Sequence, residues 1–344
     1  MDIFDLLREA VGRRASDLHL SAEMPPMLRL DGQLLAQGDE ALTAATTRQM
    51  LASLLPDPAQ QDHFERQGEL DFAYGVSGLG RFRINAYKQR GSVALAIRLI
   101  PHEVPALEEL RLPQVVADLV SRRHGLVLVT GPTGSGKSTT LAAMIDHVNR
   151  SRHCHIVTLE DPIEYLHKHK SSIVNQREVG IDTGSFAQAL RAVLRQDPDV
   201  ILVGEMRELE TISIAVTAAE TGHLVLGTLH AAGATEAVDR LVDVFPPHQQ
   251  EQIRVQLAAT LQGILAQQLL PRRQGGRVAA VEVLVATPGV RNLIREGKTH
   301  QLPSLLQTGA KHGMRTMESA LRELADARLI DPAELERWRY ESGL

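Results

Sequence analysis

Cysteine is almost missing from this 344-residue sequence: Cys154 stands alone, which excludes an internal disulfide and any C-x-x-C zinc site and fits a reducing compartment. A basic excess is missing too. Lys and Arg number 37 against 42 Asp and Glu, a formal charge of -5, whereas a protein that lives on nucleic acid draws its affinity from a basic stripe. Protein surfaces are the expected partners, and nucleic acid is not. Apolar runs such as 126–129 and 200–203 are strand-length, and the amino terminus carries Asp2 rather than a basic n-region, so neither a transmembrane segment nor a secretory leader is expected. The expectation is a soluble, cytoplasmic chain that is still able to dock on a membrane complex.

At this length a single core stops growing, so two domains are expected. Residues 2–13 place Ile3, Leu6, Leu7, Ala10 and Val11 on one helical face. Asp17-Leu18-His19-Leu20 alternates, and 27–34 carries an Asp31-Gly32 turn between two short strands. Residues 43–55 read as a helix stopped by Pro56 and Pro58, followed by strand-like stretches at 70–74, 80–87 and 92–99. The first domain, 1–99, is therefore a small α+β module with an antiparallel sheet. Pro101, Pro105 and Pro113 punctuate 100–113, expected as an interdomain linker with one short helix inside it. From 114 to 344 strands and helices alternate, with candidate strands at 126–129, 155–159, 200–203 and 224–229, which argues for a mostly parallel sheet covered on both faces. Toward the carboxyl terminus 300–306 and the stretch from Gly313 read as amphipathic helices, with Leu321, Leu324, Ala325 and Leu329 as an apolar stripe.

The most specific motif is Gly131-Pro132-Thr133-Gly134-Ser135-Gly136-Lys137-Ser138, set between the run Leu126-Val127-Leu128-Val129 and the helix start Thr139-Thr140-Leu141. Strand, glycine-rich turn and helix are the context in which a G-x-x-x-x-G-K-[ST] match gains force. Glycines let backbone N–H groups curl around phosphate oxygens at a helix N-terminus. Lys137 neutralises the β- and γ-phosphates and Ser138 offers its hydroxyl to Mg²⁺. ATP and Mg²⁺ are thus the expected ligands.

Chemistry should gather at the carboxyl ends of parallel strands, and three further motifs sit there. Leu159-Glu160-Asp161-Pro162-Ile163-Glu164 closes a strand in acidic residues, and Glu164 is placed to orient or deprotonate a water. Asp197-Pro198-Asp199-Val200-Ile201-Leu202-Val203-Gly204-Glu205 ends an apolar strand on a carboxylate that can hold Mg²⁺ through a water, as a Walker B element does. Gly222-His223-Leu224-Val225-Leu226-Gly227-Thr228-Leu229-His230 is a strand bracketed by histidines; His230 is placed to sense the γ-phosphate, and His223 is read equally as structural or catalytic. No arginine stands beside the phosphate loop. Arg81, Arg83 and Arg98 lie on adjacent strand candidates of the first domain, Arg81 and Arg83 on one face, and read either as an exposed sheet face or as cations for another subunit's nucleotide.

These four motifs resemble those of the secretion-type ATPases, hexameric motors of the RecA-like P-loop group, and Asp17-Leu18-His19-Leu20 with Gly80-Arg81-Phe82-Arg83-Ile84-Asn85 resembles the PAS-like amino-terminal domain of that superfamily. Within it the sequence is most similar to the retraction ATPases of type IV pili. It starts directly at the PAS-like domain, it lacks the tetracysteine zinc module of extension and type II secretion ATPases, and Gly289-Val290-Arg291-Asn292-Leu293-Ile294-Arg295-Glu296 is similar to the carboxyl-terminal motif of retraction motors. The resemblance implies a homohexamer docked at an inner-membrane platform protein, sometimes beside an accessory retraction paralogue. It also implies Glu164 as catalytic base, Glu205 in the Walker B role, His230 as the His box, and Arg81, Arg83 and Arg98 acting in trans or at the domain interface around an interdomain nucleotide. The sequence departs from the family after His230, where Ala231-Ala232-Gly233 replaces a hydroxyl or amide residue and removes any side-chain contact from that loop. The competing readings are an accessory retraction paralogue, an extension or secretion ATPase, a nucleotide-gated docking platform without turnover, and a nucleic-acid translocase.

Overall fold

A computed structural model describes residues 2–13, 15–30, 32–100 and 103–342, with Glu341 and Ser342 as backbone only. The contacts of the chain divide it into two units, Met1–Glu103 and Val104–Leu344.

In the first unit α1 (Ile3–Gly12) buries Ile3, Leu6, Leu7 and Ala10, the face its periodicity predicts. The strands β1 (Asp17–Leu20), β2 (Met27–Leu30) and β3 (Gln33–Ala36) are followed by α2 (Ala44–Leu54) and α3 (Pro58–Gln67), and then by β4 (Glu69–Val76), β5 (Gly80–Gln89) and β6 (Ser92–Ile100). They form one sheet in the order β3-β2-β1-β6-β5-β4, antiparallel throughout. Leu30 pairs with Gln33 across a two-residue turn in which Gly32 takes φ 86°; Asp31 of the expected Asp-Gly turn lies outside the described residues. Pro58 does not merely stop α2; it opens α3, where Asp57 accepts from the Ala59 N–H at 3.0 Å. At the first helical position the missing proline N–H costs nothing, because it would have had no helical acceptor. Phe82, Ile84 and Ala86 of β5 are buried with Leu95 and Ile97 of β6, leaving Arg81 and Arg83 on the other face.

The stretch expected as a linker packs differently from the prediction. Residues 104–113 hold turns instead of a short helix, with the Leu110 N–H on the Ala106 carbonyl at 3.2 Å. Leu107 is buried in an apolar cluster of the second unit, and Leu110 and Leu112 pack against that cluster partly buried, so this segment packs with that unit. Pro101 lies outside the described residues.

The second unit runs α4 (Val115–Val120), β7 (Gly125–Thr130), α5 (Lys137–Ser151), β8 (His155–Glu160), β9 (Ile173–Glu178), α6 (Phe186–Val193), β10 (Val200–Val203), α7 (Leu209–Glu220), β11 (Leu224–Leu229), α8 (Ala234–Asp243) and α9 (Pro247–Thr260). It ends in β12 (Leu261–Pro271), β13 (Arg277–Val285), α10 (Pro288–Arg295), α11 (Leu302–Thr308), α12 (Met317–Asp326) and α13 (Pro332–Ser342). The sheet order is β13-β12-β7-β11-β10-β8-β9, parallel except for β13. Its central strands are apolar on both sides because both sides are covered: Leu126, Leu128, Ile201 and Val203 face one cluster, Val127, Val129, Val200 and Leu202 the other. The reversal of chain direction at β13 packs Val278 and Ala280 against Met317, Ala320 and Leu321 of α12. Of the carboxyl-terminal stripe, Leu321 is buried in this cluster and Leu324 and Ala325 pack against it partly buried.

The retraction-type motif is divided by this packing. Val290 and Ile294 are buried. Arg291 donates through Nη1 to the Ala258 and Ala259 carbonyls, at 2.7 and 2.8 Å, and through Nε to the Ala286 carbonyl at 3.0 Å. It satisfies carbonyls that the last turn of α9 would leave open, while Arg295 and Glu296 remain exposed.

Candidate functional site

Four strands of the second unit end side by side, and each ends in one of the predicted motifs. β7 is buried along its whole length and delivers the chain into Gly131. Gly134 and Gly136 take φ 79° and 86°, left-handed values that glycine adopts without strain. They turn the loop so that α5 begins at Lys137 with no side chain capping its N-terminus. The first N–H groups of a fifteen-residue helix, open and flanked by a lysine, fit an anionic phosphate. Lys137 Nζ donates to the carbonyls of Gly131 and Pro132, both at 2.9 Å. Burial pushes its ammonium below the usual lysine range, and the Glu205 and Glu164 carboxylates pull it back up. Both carboxylates thus act electrostatically on this lysine. Ser138 lies in the first turn of α5, and the next residue, Thr139, meets the Tyr165 hydroxyl at 2.9 Å.

Glu205 follows β10 and carries two partners. His230 Nε2, just past β11, lies 2.8 Å from its Oε1, and Arg207 pairs with the same oxygen. The chain is fixed around it: the Gly204 N–H donates to the Leu159 carbonyl at 2.8 Å, the Met206 N–H donates to the Thr228 carbonyl at 3.0 Å, and the Thr228 hydroxyl donates to the Gly204 carbonyl. The loop after His230 is held without side chains of its own. Ala231 is buried, and its main chain bonds the Thr130 hydroxyl twice. The alanines that depart from the family pattern are thus replaced, as an anchor, by a threonine at the end of β7.

The acidic box separates into two kinds of carboxylate. Glu160 is half-buried, accepting from Thr158 Oγ1 at 2.6 Å and Gln176 Nε2 at 3.0 Å. Burial raises its carboxyl above the ordinary range against the pull of these bonds and of the Glu164 N–H. Glu164 is exposed in the loop beyond it. Gln176 also donates to the Tyr165 carbonyl at 2.8 Å and accepts from the His167 N–H at 2.8 Å, so one carboxamide of β9 holds the segment that carries Glu164.

The structure brings together Lys137, Ser138, Glu164, Glu205 and His230 in this unit. It places His223 elsewhere, at the amino end of β11, where Nδ1 meets the Ala218 carbonyl of α7 at 2.9 Å; there it is held against the end of α7. Arg81, Arg83 and Arg98 belong to the first unit. Arg83 and Arg98 are opposed across β5 and β6, and Arg98 pairs with Asp17 at 3.1 Å. Among the described residues no three His, Cys, Asp or Glu side chains converge as a metal site. Thr130, Tyr165 and Gln176 had no signal in the sequence, because each acts through a contact distant along the chain.

A family model described as type II/IV secretion system protein matches residues 2–335. The type IV pilus retraction ATPase PilT of Pseudomonas aeruginosa is 48% identical over 330 residues, covering 96% of each chain. A twitching motility protein of Neisseria gonorrhoeae is 46% identical over 97% of this chain and 90% of its own. A crystal structure of the pilus retraction motor PilT with bound ADP superposes with a TM-score of 0.90 at 50% identity, over 98% of this chain and 99% of the other. With a match across nearly its whole length and a secretion-ATPase motif at the end of each of four adjacent strands, the chain belongs to the type II/IV secretion system protein family.

Proposed function

We propose that this chain is an ATP-hydrolysing motor that shortens type IV pili and so drives twitching motility. The observation that carries the chemistry is the gathering of Lys137, Glu164, Glu205 and His230 at the carboxyl ends of β7, β8, β10 and β11. The direction of the motor is supported by the near-full-length likeness to a pilus retraction ATPase.

In this reading the 131–138 loop and the first turn of α5 hold the β- and γ-phosphates, and Lys137 leaves its carbonyl partners for them. Ser138, with Glu205 through a water, would hold Mg²⁺. The ion, when bound, balances charge on the phosphate oxygens. Glu164 takes a proton from a water whose oxygen bonds to the γ-phosphorus; the bond from that phosphorus to the bridging oxygen breaks, leaving ADP and phosphate. His230, hydrogen-bonded to Glu205, reports the presence of the γ-phosphate to the 231–233 loop. Arg81, Arg83 and Arg98 supply positive charge to the nucleotide of a neighbouring subunit in a homohexamer, and hydrolysis passes from subunit to subunit. The assembly works on the cytoplasmic face of the inner membrane against a platform protein; no described helix is long and apolar enough to cross a membrane.

The test combines steady-state ATPase activity with oligomer size on the purified protein, and surface piliation with motility in a deletion strain. The reading expects a hexamer that turns over ATP, and a strain with normal or excess pili that does not move. A strain without pili makes it an extension or secretion ATPase. A motility defect that reappears only when another retraction ATPase is also present makes it an accessory motor of the PilU kind. ATP binding without turnover leaves a docking platform, and stimulation by DNA would restore the translocase reading.

A further inference from the structure

One buried polar side chain lies directly under the phosphate loop and belongs to none of its motifs. Gln267 is on β12, a strand parallel to β7 in which Ala266 pairs with Thr130, the last residue of β7. Gln267 is therefore level with the point where the loop begins. It is only 2% exposed. The loop is built against it: a Cβ on Gly131 would stand 2.3 Å from the Gln267 carbonyl oxygen, and a Cβ on Gly136 would stand 2.9 Å from its Nε2. Two of the motif's glycines are needed for closeness to this residue as well as for their backbone angles.

The carboxamide is used at both ends. Nε2 donates to the Ser135 carbonyl at 2.7 Å, and Oε1 accepts from the Thr140 hydroxyl at 2.8 Å. The opposite orientation would set Oε1 against the Ser135 carbonyl, acceptor to acceptor, so the Thr140 hydroxyl and the Ser135 carbonyl together fix one orientation. Because a trans peptide is planar, its C=O and N–H point in opposite directions. A Ser135 carbonyl drawn toward β12 therefore turns the Gly136 N–H away from β12, to the side of the loop where the first N–H groups of α5 are open.

We infer that Gln267, oriented by Thr140, is a positioning residue for phosphate: it sets the Ser135–Gly136 peptide so that the Gly136 N–H faces the diphosphate of a bound nucleotide. The assignment rests on the nucleotide reading above and adds to it a contact from outside the phosphate-loop motif. Gln267 acts on affinity, because an N–H already aimed at phosphate removes the cost of reorienting the peptide on binding.

Gln267→Met keeps the length and bulk of the side chain and removes both hydrogen bonds; Thr140→Val removes the hydroxyl that orients the amide. ADP affinity, measured by calorimetry or a fluorescent ADP analogue on protein shown to be folded by circular dichroism, is expected to weaken about 10-fold or more in Gln267→Met and about 3-fold in Thr140→Val. The KM for ATP should rise in parallel while kcat at saturating ATP changes by less than about threefold, a split that general loosening of the fold would not give. A folded Gln267→Met protein with wild-type ADP affinity overturns the inference. If that variant does not fold, unchanged ADP affinity in Thr140→Val overturns it. Wild-type protein that binds no ADP removes the nucleotide reading itself, whereas wild-type binding with indistinguishable variants removes only the role of Gln267.

Discussion

The hydroxyl of Thr130 donates to the Ala231 carbonyl at 2.7 Å and accepts from the Ala231 N–H at 2.9 Å. One buried side chain thus joins the strand that enters the phosphate loop to the loop that leaves His230. Thr130→Val keeps the shape and strands two buried main-chain groups, a loss of about 1–3 kcal/mol of stability. Thr130→Ser retains the hydroxyl and should recover most of it. Denaturant unfolding of the two variants checks this, and equal stabilities would mean that the double hydrogen bond contributes nothing.

Glu164, like Asp161, is an exposed carboxylate of the acidic box, whereas Glu160 is half-buried and hydrogen-bonded to Thr158 and Gln176, so substitutions at Glu164 and Glu160 should differ in kind. Glu164→Gln is expected to bind ADP normally and to lower kcat by about 10² or more. Glu160→Gln, which keeps a side-chain oxygen to accept from Thr158 and Gln176, should leave the fold intact with a much smaller loss of kcat. Full ATPase activity in Glu164→Gln would remove it as the base.

Arg83 is exposed on the sheet face opposite the core of the first unit. If it serves a neighbour's nucleotide, Arg83→Ala abolishes most activity, by about 10³-fold or more. Mixing it with a Lys137→Ala protein should then restore part of the activity, because mixed assemblies contain some complete sites. Absence of recovery in protein shown to co-assemble places the arginine's effect within its own subunit.

His167 is half-buried near Asp146 and Lys170, and desolvation lowers its pKa from 6.5 to about 4, partly opposed by Asp146. The folded state therefore takes up this proton later than the unfolded state. Above pH 6.5 the histidine is neutral in both states and costs nothing; between pH 6.5 and 4 the unfolded chain gains a proton that the folded chain refuses, and stability falls by up to about 3 kcal/mol. His167→Phe should flatten the pH dependence of unfolding in that interval. An unchanged slope would show that the ring charges without penalty.

Arg291 and Arg295 sit four residues apart in one motif and should behave oppositely. Arg291→Ala opens three carbonyls at the end of α9 and in the turn before α10, costing about 2–4 kcal/mol, and Arg291→Lys, with a single cationic head, should recover little. Arg295→Ala should leave the melting temperature within error. Pilus retraction in cells that express each variant then separates loss of fold from loss of a surface contact.

The sequence by itself determined the elements whose signal is local. The amphipathic face of α1, the four apolar strands at 126–129, 155–159, 200–203 and 224–229, and the motifs at their ends were all readable, because a strand covered on both sides must be apolar along its length and a phosphate loop needs glycine at fixed positions. Tertiary structure decided which of those ends meet and what holds them. It joined His230 to Glu205, inserted β12 beside β7, and gave Pro58 a helix to open where the sequence showed only one to close. It also divided residues of one type by environment: His223 meets the Ala218 carbonyl of α7 while His230 meets Glu205, and Glu160 is half-buried while Glu164 is exposed. Gln267 lies 132 residues from the Ser135 carbonyl it holds. A hydrogen bond across that separation leaves no period or spacing in the sequence, and it exists only because a parallel sheet sets β12 and β7 side by side.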